Sequence, residues 1–265
     1  MLDEILAVKR DEVTVLHQPQ TRDVVRRAAV EADEPRDVIG RIRARSRDER
    51  RLGVIAEIKR RSPSKGDLAP DLDPAKTAAA YEEGGASCLS VLTDGPFFGG
   101  SVADLQEARG AAPETPVLRK DFTIDADQVY ETKAIGADAI LLIAAALPDD
   151  GYLRELHELA IDLGLSPLVE VHDDAELDRA VAIDATFVGI NARNLGTFEE
   201  DLSIGERLVG RMPDDAVSVA ESAIRSVADA ERMAGVGFDA VLVGEALVRA
   251  DDPTALVRDL AAIAT

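Results

Sequence analysis

The charges in this chain that could do chemistry stand where a solubilising charge is least expected, at the ends of apolar runs. Glu57 and Lys59 close the run Val54-Ile55-Ala56-Glu57-Ile58-Lys59, Lys120 follows Val117-Leu118-Arg119, and Glu170 follows Leu168-Val169. Successive side chains of a strand alternate, so Glu57 and Lys59 share one face while Ala56 and Ile58 take the other. Each has a plain structural reading: an exposed ion pair, a surface lysine, a carboxylate held in a salt bridge. The chemical reading turns Lys120 inward, where partial burial and neighbouring cations lower its pKa toward the range useful for proton transfer. With Glu170 beside it, such a lysine supplies an acid and a base in different environments, as a dehydration requires.

Other residues fit an anionic substrate. Residues 60–66, rich in Ser, Pro, Gly and cations, suit the gripping of an anion beyond a strand's carboxyl end. Asn191, Arg193 and Asn194 form either a polar turn or a set of donors for hydroxyls and a carboxylate. Glu221-Ser222-Ala223 and Gly244-Glu245 end two more apolar runs. Ser222 there is a helix cap or part of a phosphate cradle made of backbone N–H groups. Phe97, Phe98 and Phe122, half of the six Phe residues, are loop packing or an apolar wall for an aromatic ring.

These residues need a scaffold that brings strand ends together. From Gly53 onward, apolar runs at 54–59, 88–92, 117–119, 139–143, 168–171, 187–190, 217–220 and 240–243 read as strands. Amphipathic stretches at 74–83, 102–109, 125–135, 149–163, 175–181, 202–209, 227–234 and 253–263 read as helices. Gly85-Ala86, Gly136-Ala137 and Gly237-Phe238 mark helix exits into the next strand. Eight βα units predict an α/β fold, either a closed (β/α)8 TIM barrel or an open doubly wound sheet. The polar residues fall at the carboxyl ends of their strands, which surround one pocket in a barrel but spread along a line in an open sheet, so the barrel is favoured.

Before the barrel, Leu2, Ile5, Leu6, Val8, Val13 and Leu16 fall near helical spacing, with Asp3 as cap. A turn at 17–20 and a second helix at 22–31 follow, and 41–51 reads as a charged connector or helix end. The expected organisation is a helical extension over residues 1–52 packed on a barrel of 53–265, one domain overall.

The 265 residues are 46% apolar, enough for one large core, and single barrels commonly run to about 250 residues. A net charge of −21 argues against nucleic acid or an acidic membrane as partner. Cys88 is the only cysteine and the three histidines are scattered, so neither metal nor redox cofactor is expected. An N-terminus carrying Asp3, Glu4, Lys9, Arg10, Asp11 and Glu12 has no signal-peptide run, which predicts a soluble, cytoplasmic protein. Of 30 basic residues only 6 are lysine, and this with the acidic excess and few aromatics predicts adaptation to a high-salt cytoplasm.

The segment AEIKRRSPSKG at 56–66 is similar to the first-strand signature of the indole-3-glycerol phosphate synthase family. LTDGPFFGGS at 92–101, LRKDF at 118–122, VEVH at 169–172, INARNL at 190–195, AESAI at 220–224 and LVGEAL at 242–247 resemble the same family in the same order. The resemblance implies ring closure, decarboxylation and dehydration of 1-(2-carboxyphenylamino)-1-deoxyribulose 5-phosphate, without cofactor, by a monomer or weak oligomer. It implies Lys120 as general acid, Glu170 as proton-transfer partner and Lys59 as charge stabiliser, with Glu57 orienting both lysines. Asn191, Arg193, Ser62, Phe122 and Ser222 would bind substrate; Ser222 with the Ala223, Gly244 and Glu245 amides would bind phosphate. The family usually has Gly where Ala223 stands, and Ala tolerates positive φ poorly. Two other readings are a phosphoribosylanthranilate isomerase, which would not need the Glu57, Lys59, Lys120 and Glu170 set, and a non-catalytic barrel.

Overall fold

The computed structural model describes residues 1–193 and 199–265. Eight parallel strands close into a barrel: β1 Gly53–Ile58, β2 Cys88–Leu92, β3 Val117–Lys120, β4 Ala139–Ile143, β5 Ser166–Val171, β6 Phe187–Asn191, β7 Val217–Glu221 and β8 Ala240–Val243. β8 returns to β1 with Gly53 beside Ala240 and Ile55 beside Leu242, so the sheet has no open edge and the doubly wound alternative falls. All eight expected strands are present. β5 starts earlier than expected, at Ser166, because Pro167 is tolerated near a strand's start. Lys59 lies just beyond β1 rather than within it.

Helices Pro74–Gly84, Val102–Ala111, Ala126–Ala134, Asp150–Asp162, Asp174–Ala182, Ser203–Val209, Val227–Gly235 and Pro253–Ala261 surround the barrel. Seven of these eight start at an Asp or Ser whose side chain accepts a first-turn amide: Asp73, Ser101, Asp125, Asp149, Asp173, Ser226 and Asp252. Such a cap contributes about 1 kcal/mol.

Alternation along each strand divides the apolar residues in two. Val54, Ala56, Val169 and Val241 face outward into the layer under the helices. Ile55, Leu118, Leu168, Val219 and Leu242 face inward and fill the barrel. The same parity continues upward: Glu57, Lys120, Glu170, Glu221 and Gly244 each stand two residues past one of those inward residues. The inner layer nearest the carboxyl ends is therefore polar, and the apolar layer below it is what makes it a floored cavity rather than a pore.

The N-terminal extension consists of α1 Leu2–Leu16, α2 Pro19–Glu31 and α3 Val38–Arg43, the last running into a π-turn at Ala44–Asp48. α2 begins at Pro19 rather than at Arg22, since Pro suits the first helical position. Asp3 is not the cap of α1; Met1 precedes the helix, and Asp3 lies in the first turn, where the helix dipole favours it. The segment read as a connector or helix end starts inside α3, whose fully buried Val38 and Ile42 pack into the inner core with Val217 and Ala240. A Cβ on Gly53 would come within 3.2 Å of Ile42 Cγ2, so glycine is needed for this close approach. α1 lies over the opposite end, where Leu6 packs with Ile143 and Ala146. Among the described residues, no helix is long and apolar enough to cross a membrane.

Candidate active site

A cavity opens at the carboxyl ends of the strands, lined by Glu57, Lys59, Lys120, Glu170, Asn191 and Glu221, with Phe98 and Phe122 on one side and Met1, Leu2 and Ile5 of α1 above. At its centre Lys120 Nζ donates to Glu170 Oε2 and to Glu221 Oε2, each at 2.7 Å. Asn191 Nδ2 donates to the other Glu170 oxygen at 3.0 Å. The two carboxylates are not equivalent. Glu170 also has His172 Nε2 at 3.3 Å, whereas Glu221 Oε1 is buried without a hydrogen-bond partner.

Burial alone would strip charge from these groups, and their neighbours decide the outcome. Burial opposes the charge on Lys120, but Glu170, Glu221 and Glu57 outweigh it and raise its pKa above the ordinary lysine value. The expectation of a lowered pKa is thus overturned, because the groups around Lys120 are carboxylates rather than cations. Glu170 is held well below the carboxylate range: burial pushes it up, and Lys120 and His172 pull it further down. Glu221 is pushed up to about 7 by burial and by Glu170, against the pull of Lys120.

Glu57 bonds to Lys59 Nζ. It orients that lysine, whereas Lys120 is held by Glu170 and Glu221 instead. A Cβ on Gly244 would lie 2.3 Å from Glu57 Oε1 and 3.1 Å from Lys59 Nζ, so this glycine makes room for the pair. Gly189 likewise leaves space for the Glu221 carboxylate, which a Cβ would meet at 1.9 Å.

α1 is fixed over this cavity by Lys9, which is 1% exposed. Its ammonium meets Asp121 at 2.8 Å, Asp94 at 3.0 Å and Glu12 at 2.9 Å. Asp94 caps the short turn Gly95–Phe98, and Asp121 follows Lys120 and accepts the Phe122 amide at 2.8 Å. One buried cation therefore ties the extension to both aromatic walls; the Phe98 and Phe122 ring centroids stand 6.0 Å apart.

The family model for indole-3-glycerol phosphate synthase matches residues 2–260. The chain is 47% identical to the indole-3-glycerol phosphate synthase of Polaromonas naphthalenivorans, with 98% of each chain covered. It is 48% identical to that of a Nocardioides species, covering 99% of this chain and 98% of the relative. The chain belongs to the indole-3-glycerol phosphate synthase family. Membership makes it a carboxy-lyase of tryptophan biosynthesis that acts on a phosphorylated small molecule. Among solved structures, thiamine phosphate pyrophosphorylase from Pyrococcus furiosus superposes with a TM-score of 0.59 at 19% identity, covering 79% of this chain and 93% of that one. A 3-hexulose-6-phosphate synthase does so with a TM-score of 0.58 at 18% identity, covering 81% and 100%. These two show the barrel alone.

Against that family, most residues singled out from the sequence converge on the cavity: Glu57, Lys59, Lys120, Phe122, Glu170, Asn191, Arg193, Ser222, Ala223, Gly244 and Glu245 all line it. Ser62 does not; it is buried in the two-residue ribbon Arg61–Ser62 that pairs with Gly66–Asp67. Phe97 is also absent from the lining, and Asn194 lies outside the described residues. The arginines of the cationic loop already have partners. Arg60 holds Asp104 and the Gly99 and Leu72 carbonyls, and Arg61 holds the Gly95 and Pro96 carbonyls. They pin the loop to its neighbour.

Ala223 has φ 60° and Ser222 φ 64°, so an alanine does occupy the left-handed region that the family's glycine would suit. That conformation costs roughly 1–2 kcal/mol per non-glycine residue. Glu245 reaches Arg249 at 3.7 Å along its own turn, as a side chain directed away from an anion must. Arg193 Nη1 donates to Ser64 Oγ at 3.0 Å while its other nitrogens hold Glu200, which also holds Arg225.

Four participants carried a weaker signal. Glu221 has the parity of Glu57 and Glu170 at the end of an apolar strand, but was assigned no role. His172 lies four residues before Glu176 across a helix start. Lys9 falls on the apolar stripe of Ile5, Leu6 and Val13. Glu200 had no local pattern to mark it.

Proposed function

We propose that this cavity closes the ring of 1-(2-carboxyphenylamino)-1-deoxyribulose 5-phosphate and releases carbon dioxide and water to give indole-3-glycerol phosphate. The observation that carries the reading is the protonated Lys120 held at 2.7 Å between two carboxylates beside an aromatic wall. The substrate ketone oxygen displaces a carboxylate from Lys120 and takes its proton as the ring carbon bearing the carboxylate attacks the carbonyl carbon. Carbon dioxide then leaves, and its bonding electrons restore the ring. Finally the new hydroxyl departs as water, protonated by Lys59 or Lys120, while Glu170 removes the proton from the adjacent carbon. Proton donation of this kind is worth about 10²–10⁴ in rate.

Asn191 and Arg193 contact the substrate's polar groups, and Phe98 and Phe122 flank its anilino ring. The phosphate lies against Ser222 and the Ala223, Gly244 and Glu245 amides with Lys59 nearby, at the ends of β7 and β8 where barrels frequently bind phosphate. Residues 1–52 act as one cap on the barrel of 53–265. The enzyme works in a salt-rich cytoplasm as a monomer or weak oligomer, without nucleic acid or membrane partners. Its acidic excess supports this setting. So does the placement of its lysines, since Lys9 and Lys133 are buried and Lys59 and Lys120 line the cavity.

The test is to supply the purified protein with the anilino-ribulose phosphate and follow indole fluorescence together with released carbon dioxide. Equal amounts of the two products support the reading. Consumption without carbon dioxide, or none at all, removes it.

A further inference from the structure

Lys120 lies between two carboxylates at the same distance, so something else must decide which of them is the base. The surroundings of Glu170 contain that difference. His172, just past the end of β5, has Nε2 3.3 Å from Glu170 Oε1 and Nδ1 2.9 Å from Glu176 Oε2. The same Glu176 oxygen accepts the His172 backbone amide at 2.8 Å, which fixes the carboxylate in place from the first turn of the following helix. Nδ1 is hydrogen-bonded to Glu176, and Nε2 is buried out of hydrogen-bond alignment with Glu170 Oε1 as its carboxylate neighbour, so the two surrounding negative charges favour a ring that carries a proton on both nitrogens. Glu221 has no such cation; its second oxygen is buried and unpartnered.

We propose that His172 is a positioning residue for the reaction: as an imidazolium clamped between Glu176 and Glu170, it keeps Glu170 ionised and so makes Glu170, not Glu221, the base of the pair around Lys120. The assignment rests on the ring-closure reading and deepens it. The charged groups around His172 are few. Glu170 of β5 and Glu176 on the following helix touch it; Lys120 from β3 and Glu221 from β7 act through Glu170, and Asn191 from β6 is neutral. The turn Ala144–Ala146 offers no titratable group, and Arg179, on the same helix as Glu176, is bonded to Asp150 and to the Ala144 and Leu147 carbonyls. Burial works against the imidazolium, but the Glu170 and Glu176 carboxylates beside it outweigh that and push His172 up to about 10.

The experiment compares pH profiles of kcat/KM for the wild type, His172→Leu and Glu176→Gln, each checked for cooperative thermal unfolding. Loss of the imidazolium raises the pKa of Glu170, so the acidic limb should move up by about one pH unit or more in His172→Leu, and less in Glu176→Gln. On the acidic limb, kcat should fall by about tenfold for each unit of that shift in His172→Leu while KM stays within about threefold, and raising the pH to 7 should recover most of the loss. A purely structural role would lower activity equally at every pH. Such a uniform loss, or an acidic limb unmoved in both variants, overturns the proposal. A wild type that releases no indole product at any pH fails the parent reading instead and takes this proposal with it.

Discussion

At the scale of single residues, the cavity is governed by which charges are neighbours rather than by burial. Lys120 keeps its proton because three carboxylates surround it, so it is a donor in the resting protein at every physiological pH. Lys120→Met should leave the fold intact and lower kcat at least about a hundredfold; steady-state turnover at saturating substrate measures this, and near-normal turnover would exclude the acid role. His172 gives a stability signature independent of catalysis. Its folded pKa, about 10, lies above the ordinary imidazole value of 6.5, so its contribution is complete below pH 6.5 and is lost as pH rises toward 10. Relative to His172→Leu, the wild type should therefore lose on the order of a few kcal/mol between those limits in urea titrations. A parallel pH dependence of the two proteins would show that the imidazolium is absent. Ala223→Gly releases roughly 1–2 kcal/mol of backbone strain but adds chain entropy of roughly 0.5–1 kcal/mol to the unfolded state, so the variant should be more stable by up to about 1 kcal/mol. A lower melting temperature in that variant would refute the strain.

At the scale of elements, α1 is attached by one buried cation rather than by a broad apolar stripe alone. Lys9→Met leaves Asp94 buried without its counter-charge and Asp121 with Arg119 alone, which should cost about 3–5 kcal/mol in denaturant unfolding. An effect below about 1 kcal/mol would mean that Arg119 and Thr93, which also contact Asp121, suffice to hold it. The strands were legible because each joins an apolar run to a polar end at period two, and that parity alone brought Glu57, Lys120 and Glu170 to one cavity. Helix positions were legible from their amphipathic spacing, whereas the one helix start read from a cap, at Asp3, was misplaced. The partners of each charge were not, since they come from other strands: nothing near Lys120 in sequence announces Glu221 101 residues away. The loop arginines misled for the same reason, because Asp104 and the Gly95–Gly99 carbonyls that occupy them lie on the next βα unit. α3 escaped notice because its apolar residues, Val38, Ile39 and Ile42, are too few to set a period among the arginines that follow.

At the scale of the whole molecule, the chain separates its two kinds of cation. Lys9 and Lys133 are buried and Lys59 and Lys120 line the cavity, while Lys65 and Lys76 are exposed, so the surface opposes its acidic excess almost entirely with arginine. Self-repulsion at a net charge of −21 falls as salt shortens the Debye length from about 10 Å at 0.1 M to about 3 Å at 1 M. The melting temperature should rise as potassium chloride goes from low to molar concentration; a flat profile would contradict salt adaptation while leaving the chemistry untouched. The pair of carboxylates around Lys120 is shielded from that screening by burial, and it carries the central claim. The most direct measurement is single-turnover conversion of 1-(2-carboxyphenylamino)-1-deoxyribulose 5-phosphate at pH 7 by the wild type, Lys120→Met and Glu170→Gln, with carbon dioxide and indole product followed separately. The account predicts that the Lys120 variant releases neither product at a wild-type rate, whereas the Glu170 variant releases carbon dioxide but is slow to form indole. Indole formation at wild-type rates by either variant would contradict it.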